Sequence, residues 1–175
     1  MHTNSRSIPD LIAEAGSPDN SIAGSACREL LHRSSECHAY IPRLIDLLDS
    51  PSVAIKDLAF RTLERIGHPA VDLLVSRFGE SQGRFRKLFL GLISATARFD
   101  DYYPLLHSEI KNGEFECRYW AANCLGRNYN DDVDWPTDAI KLLNDGIDLL
   151  QSLRNDPEHW AQARITLKHL GKLPE

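Results

Sequence analysis

No stretch of the chain approaches the run of about 18 apolar residues that a membrane-spanning helix needs. The opening MHTNSRSIPDLIAEAG lacks a basic segment followed by a long apolar core, so no secretory leader is expected. No segment alternates polar and apolar residues or clusters Val, Ile and Thr in the manner of strands. Metal-ligand spacings such as C-x2-C or H-x3-H are absent, and so are a phosphate-binding Gly-rich loop and a nucleophile elbow. With no leader in view, Cys27, Cys37, Cys117 and Cys124 read as reduced thiols of a cytoplasmic protein. Cysteine also serves as a small core residue, and no structural metal or cofactor is expected.

What remains is the composition of an ordinary folded protein, with 42% hydrophobic and 26% charged residues over 175 positions. The net charge of −5 is uneven: residues up to Phe99 carry +1 and those from Asp100 onward carry −6. The C-terminal part is the acidic end, a solvated surface or one that favours a basic partner.

The clearest pattern is Ile41 to Gly67. Ile41, Leu44, Ile45 and Leu48 line one short amphipathic helix, and Ser50-Pro51-Ser52 breaks it. Ile55, Leu58, Ala59, Thr62, Leu63 and Ile66 line a second, stopped by Gly67. Pro51 suits the first turn of that second helix, and Gly67 suits a left-handed cap. A shift of 33 residues superposes identical pairs such as Ile8/Ile41, Leu11/Leu44, Pro18/Pro51, Ile22/Ile55, Ala26/Ala59 and Leu30/Leu63. A shift of 30 places Val71, Leu74, Val75 and Phe78, then Phe85, Leu88, Phe89, Leu92 and Ile93, on the same faces.

A further shift of 32 reaches Tyr103, Leu106, His107 and Ile110, followed by Cys117, Ala121, Cys124 and Leu125 ended by Gly126. The interval Asn128 to Pro136 interrupts the period with an acidic, turn-prone stretch. Asp131, Asp132, Asp134 and Asp138 lack the glycine and glutamate of a calcium loop, and the 128–138 loop is a second candidate binding surface. Thr137 or Asp138 then caps a helix with Ile140, Leu143, Ile147 and Leu150 inward. Asp156-Pro157 restarts the chain into Trp160, Ala163, Leu167 and Leu170. The expectation is one all-α repeat domain over 1–175, an α-α superhelix of about five helix pairs at about 8–34, 40–67, 69–98, 101–127 and 137–171.

The unit resembles the HEAT repeat of the armadillo-type family, and most closely the short bacterial form found in proteins similar to phycobilisome lyases. Ser50-Pro51, Ile55-Lys56, Ala59 and Leu63-Glu64-Arg65-Ile66-Gly67 follow that pattern with Glu64 in place of a glycine. Cys117-Arg118, Ala121-Ala122 and Leu125-Gly126 follow it as well. The resemblance implies a scaffold and no particular chemistry, since such repeats host adaptors, immunity-type binders, cofactor-attachment proteins and a few DNA glycosylases.

In similar solenoids the second helix of each pair lines the concave face. The candidate partner-binding residues are then Lys56, Arg86, Lys87, Arg118, Tyr119 and Trp120, with His159, Trp160 and Arg164 from the last pair. Basic and aromatic residues supply much of the contact energy at interfaces. The expected function is non-catalytic binding of another protein by an adaptor, regulator or inhibitor, with no catalytic residues. The alternatives are a nucleic-acid enzyme resembling HEAT-like glycosylases and a tetrapyrrole-handling, lyase-like protein. A pI near 5.8 disfavours nucleic acid.

Overall fold

The computed structural model describes residues 6–130 and 135–173, and every regular element among them is helical. Contacts divide the chain into two compact units, residues 1–76 and 77–175. The fold is all-α, and within each unit successive helices stack on their neighbours in sequence order, as in helical-repeat proteins.

The first unit holds α1 (Ile8–Ala15), α2 (Asn20–His32), α3 (Ile41–Asp46) and α4 (Val53–Ile66). Ser7 and Asp19 start α1 and α2 by accepting backbone N–H groups with their side chains. Gly67 ends α4 at φ 72°, a conformation that favours glycine, although its ψ of −140° lies outside the left-handed helical region. Pro51 stands before the helix, and Ser52 takes the cap position. Within the unit α1 packs on α2, α3 on α4, and α2 on α4. The layer between them is apolar: Leu11, Ala15, Ala26, Leu30, Leu44, Leu48, Ala59 and Leu63 are all buried. Arg6 pairs with Glu14 and Glu29, and Arg33 pairs with Glu29 and Glu36. Arg65 of α4 donates to the Leu31 carbonyl of α2 at 3.2 Å.

In sequence α5 (Val71–Glu80) runs across the boundary into the second unit, which continues with α6 (Gly83–Thr96), α7 (Phe99–Asn112), α8 (Phe115–Asn128), α9 (Thr137–Ser152) and α10 (Pro157–His169). Here α6, α8 and α10 pack side by side as one layer, with α7 and α9 against them as the other. The central α8 touches α6, α7, α9 and α10, and it buries eight of its residues. Gly126 does not end α8, which continues to Asn128. Its role is close approach: a Cβ there would meet Thr166 Cγ2 of α10 at 2.6 Å.

Three inward expectations shift by one or two residues. His107 is exposed while Glu109 is buried, and Tyr103 is half-buried while Tyr102 is buried. Ile140 is 42% exposed, because α9 turns Ala139, Leu142 and Leu143 inward. No side chain caps α9: Pro136 holds the position expected for Thr137 or Asp138. Trp135 is buried, and its ring packs on Phe99 and Tyr129. Asp131, Asp132 and Asp134 lie outside the described residues.

Ile22 and Ile55, equivalent in the repeat, differ sharply, at 45% and 4% exposure. Each is the third residue after its N-cap. In the second unit that position faces the preceding second helix, where His159, third after Asp156, meets Glu116 of α8. No second helix precedes α2 among the described residues, so Ile22 is left in water.

Replacing the buried Leu63 with aspartate should cost more than the roughly 2–5 kcal/mol of a leucine truncation, because a carboxylate is desolvated as well. Loss of the cooperative thermal transition by circular dichroism is the expected result. Gly126→Val should lower the melting temperature by an amount equivalent to about 1–3 kcal/mol, as an overpacked α8–α10 contact.

Candidate functional site

Numbering from the N-cap sorts the second helices into rows with separate tasks. The fourth residue after the cap is Lys56, Arg86, Arg118 or Trp160. Arg86 and Arg118 do the same work two repeats running. Arg86 Nη1 donates to the Phe78 carbonyl at 3.1 Å, and Arg118 Nε donates to the Ile110 carbonyl at 3.2 Å, each reaching back eight residues. Both cap the C-terminal carbonyls of the first helix of the pair, where a cation is favourable. This row therefore turns toward its own partner helix.

Arg86 is further occupied. Its guanidinium lies 4.1 Å over the Phe78 ring and forks onto Glu109 of α7, at 2.6 Å and 3.4 Å. Glu109 is 4% exposed, so the pair is desolvated on the acidic side. The Glu109 hydrogen bond, opposed by desolvation, raises the Arg86 pKa still further. The pair forms one wall of a cleft of about 490 Å³, lined also by the Gly79–Gly83 turn, Glu114 and Cys117. Burial pushes the Cys117 thiol up, as it does Cys27, Cys37 and Cys124, which keeps all four protonated and poorly nucleophilic.

The fifth residue after the cap reaches the following second helix. Lys87 of α6 bonds Glu116 of α8 at 2.6 Å, and the Tyr119 hydroxyl donates to the His159 carbonyl of α10 at 3.0 Å. Tyr119 is 3% exposed, so this expected binding residue is a core residue of the α8–α10 contact. Below it, the Thr166 hydroxyl donates to Asn123 Oδ1 at 2.6 Å, and Asn123 Nδ2 donates to the Tyr119 carbonyl at 2.9 Å. The polar atoms of this buried seam are thereby paired, as burial requires.

His159 is buried between two carboxylates. Its Nε2 lies 2.7 Å from Glu116 Oε1, and its Nδ1 lies 2.8 Å from Asp156 Oδ2. Burial pulls the imidazole pKa down, but the Glu116 and Asp156 hydrogen bonds more than offset it, leaving the pKa above the ordinary histidine value. Lys87 first, and His159 second, hold Glu116 below the usual carboxylate range. Asp156 is lowered chiefly by His159, while its other oxygen caps α10. The rings of Tyr119 and Phe115 meet the imidazole edge-on at 4.8 and 5.2 Å. Sequence reasoning picked out His159 and Lys87 but passed over Glu116 and Asp156, which join them. The available signal was histidine three residues after a helix-starting Asp-Pro, within reach of the cap carboxylate.

The outer row is the sixth residue after the cap: Leu88 on α6, Trp120 on α8 and Gln162 on α10, each half-buried. Of the expected binding residues, Trp120 alone belongs to this row. Trp160 falls in the row that turns toward the first helix, Arg164 is exposed on α10, and Lys56 belongs to the first unit. Among the described residues no group of three or more His, Cys, Asp or Glu is placed to hold a metal ion, and no helix is long and apolar enough to cross a membrane.

No family model matches the chain. No curated protein matches it either. Among solved structures it is similar to a designed armadillo repeat protein, YIII(Dq)4CqI, at 16% identity and a TM-score of 0.39, over 94% of this chain and all of that one.

Arg86→Met should destabilise the protein by about 3 kcal/mol, the low end for breaking a buried pair, because Glu109 loses its counter-charge. The double variant Arg86→Met with Glu109→Gln should recover most of that loss in chemical denaturation, a coupling that a double-mutant cycle reads directly.

Proposed function

We propose that this protein is a non-catalytic binding module, a cytoplasmic adaptor, regulator or inhibitor built of HEAT-type repeats akin to the short bacterial form. It holds a segment of a partner protein on the outer row of α6 and α8. The observation that carries this reading is the pairing of half-buried apolar residues, Leu88 and Trp120, with an adjacent charged row whose members are already fixed to one another. Protein interfaces favour an aromatic anchor surrounded by a preorganised polar rim. Ordering that rim in the free protein removes part of the entropy cost of binding.

Two of the three arginines expected to contact a partner, Arg86 and Arg118, are bonded within the repeat, which weakens a nucleic-acid reading. Arg86 is spent on Glu109 and two carbonyls, and Lys87 on Glu116. Contact with a phosphate backbone calls for several uncommitted cations along one face.

A tagged pull-down from native lysate with mass spectrometry tests the proposal. One stoichiometric protein should be recovered, and Trp120→Ala should weaken its binding by about 30-fold or more, the loss typical of an interface hot spot. Undiminished binding by that variant would move the site off this row. Recovery of nucleic acid or of a coloured small molecule in place of a protein would overturn the reading.

A further inference from the structure

At the α8–α10 contact the acceptor count is fixed by geometry. Glu116 Oε1 and Asp156 Oδ2 lie within hydrogen-bond distance of the two nitrogens of one imidazole, at 2.7 and 2.8 Å. A carboxylate oxygen only accepts, so each contact needs a ring N–H, and only the imidazolium carries two. A neutral ring would turn a lone pair toward one of the carboxylates. We propose that Lys87, Glu116, His159 and Asp156 form a proton-operated clasp that locks helix α10 onto α8 while His159 is protonated and releases it when the proton leaves.

The contact that breaks is the one between helices. Asp156 and His159 are three residues apart on one element, and Asp156 stays in place through its cap bonds to the Glu158 and His159 amides. Keeping the Nδ1 proton on that side requires no movement. Glu116 retains Lys87 on its other oxygen, so losing the imidazole leaves it paired. Both circumstances direct the break to Nε2 and Glu116, the charged link from α8 to α10. The charged groups that act on His159 are Glu116 from α8 and Asp156 at its own helix start, with Lys87 of α6 acting through Glu116; α9 contributes none among the described residues. Tyr119 meets the imidazole in a T-shaped contact and remains bonded to the His159 carbonyl, so release is a loosening about that point.

The sign follows from linkage. A histidine whose pKa is raised on folding contributes stability that is complete below the unfolded value of about 6.5 and is lost as pH rises through the folded value. Glu116 and Asp156, lowered on folding, contribute stability that is lost as pH falls through the carboxylate range. The clasp is therefore closed between those limits and opens on the alkaline side through His159 alone.

Hydrogen exchange of the intact protein, followed by mass spectrometry and corrected for intrinsic base catalysis, tests this directly. Between about pH 6 and about pH 9, amides of α10 should progressively lose protection relative to those of α4 as the imidazolium gives up its proton. His159→Gln should show α10 protection independent of pH over that range. A second readout guards against a variant that folds poorly: the His159 ring proton signals by NMR should titrate above about 6.5 in the wild type and at lower pH in Glu116→Gln. Equal pH dependence in wild type and His159→Gln, constant α10 protection in the wild type, or an unshifted titration in Glu116→Gln would each overturn the proposal.

Discussion

The second unit depends on one constraint: α8 is covered by four neighbouring helices, and eight of its 14 residues must suit an interior. Such a helix cannot be amphipathic in the usual sense, with one apolar stripe and one solvated face. It buries small and aliphatic residues, including Ala121, Ala122 and Leu125, and Ala122 faces Gly146 of α9. Against α10 it presents Tyr119, Asn123 and Gly126, which are polar or minimal. The cost of burying those polar groups is offset only because each finds a partner. The small residues set the distance at which those hydrogen bonds form, so packing and polarity act together here.

Sequential stacking explains why residues one position apart differ so completely in role. In the second unit α8 contacts the second helix before it, the one after it and its own first helix, leaving a narrow strip outside. Residue three after the cap looks back, four looks to the first helix, five looks forward, and six borders the strip. One step along the chain turns an α-helix by about 100°, so a single-residue error moves a side chain from solvent to the core. Arg86, Lys87 and Leu88 are consecutive, and they serve three different neighbours.

The same geometry decides how much was legible in the sequence. Helix positions were readable from the spacing of Leu11, Ile12, Leu44, Ile45, Leu63 and Ile66, because apolar periodicity is a property of single helices. The Asp-Pro start at Asp156 was legible for the same reason. The sites were not, because Arg86, Arg118 and Lys87 are cations whose partners lie between 5 and 29 residues away. A row of cations in repeat register reads equally as a binding groove or as a row of carbonyl caps. Only the distances to Phe78 and Ile110 decide for the caps. Gly126 misled likewise: at a helix end glycine signals termination, whereas in the midst of a packed helix it signals an approaching neighbour.

The position three after the cap shows how the α8–α10 contact departs from the rest. It is Ile55 in α4 and Cys117 in α8, both buried and neutral, and it becomes His159 in α10. An apolar residue there stabilises a junction at any pH and salt concentration, through area removed from water. An imidazolium between two carboxylates works differently. Its desolvation penalty is repaid only while both partners and the proton are in place, and part of the attraction is screened by ions. An ionic link in place of an apolar one thus makes this position conditional at the α8–α10 contact, whereas Ile55 and Cys117 hold the same position at the earlier contacts without a charge. Since among the described residues α10 packs chiefly on α8, α9 and its own preceding turn, its release need not disturb the apolar contacts that α8 makes with α6, α7 and α9. A conditional contact at this place changes the flank of α8 and leaves the rest of the layer intact.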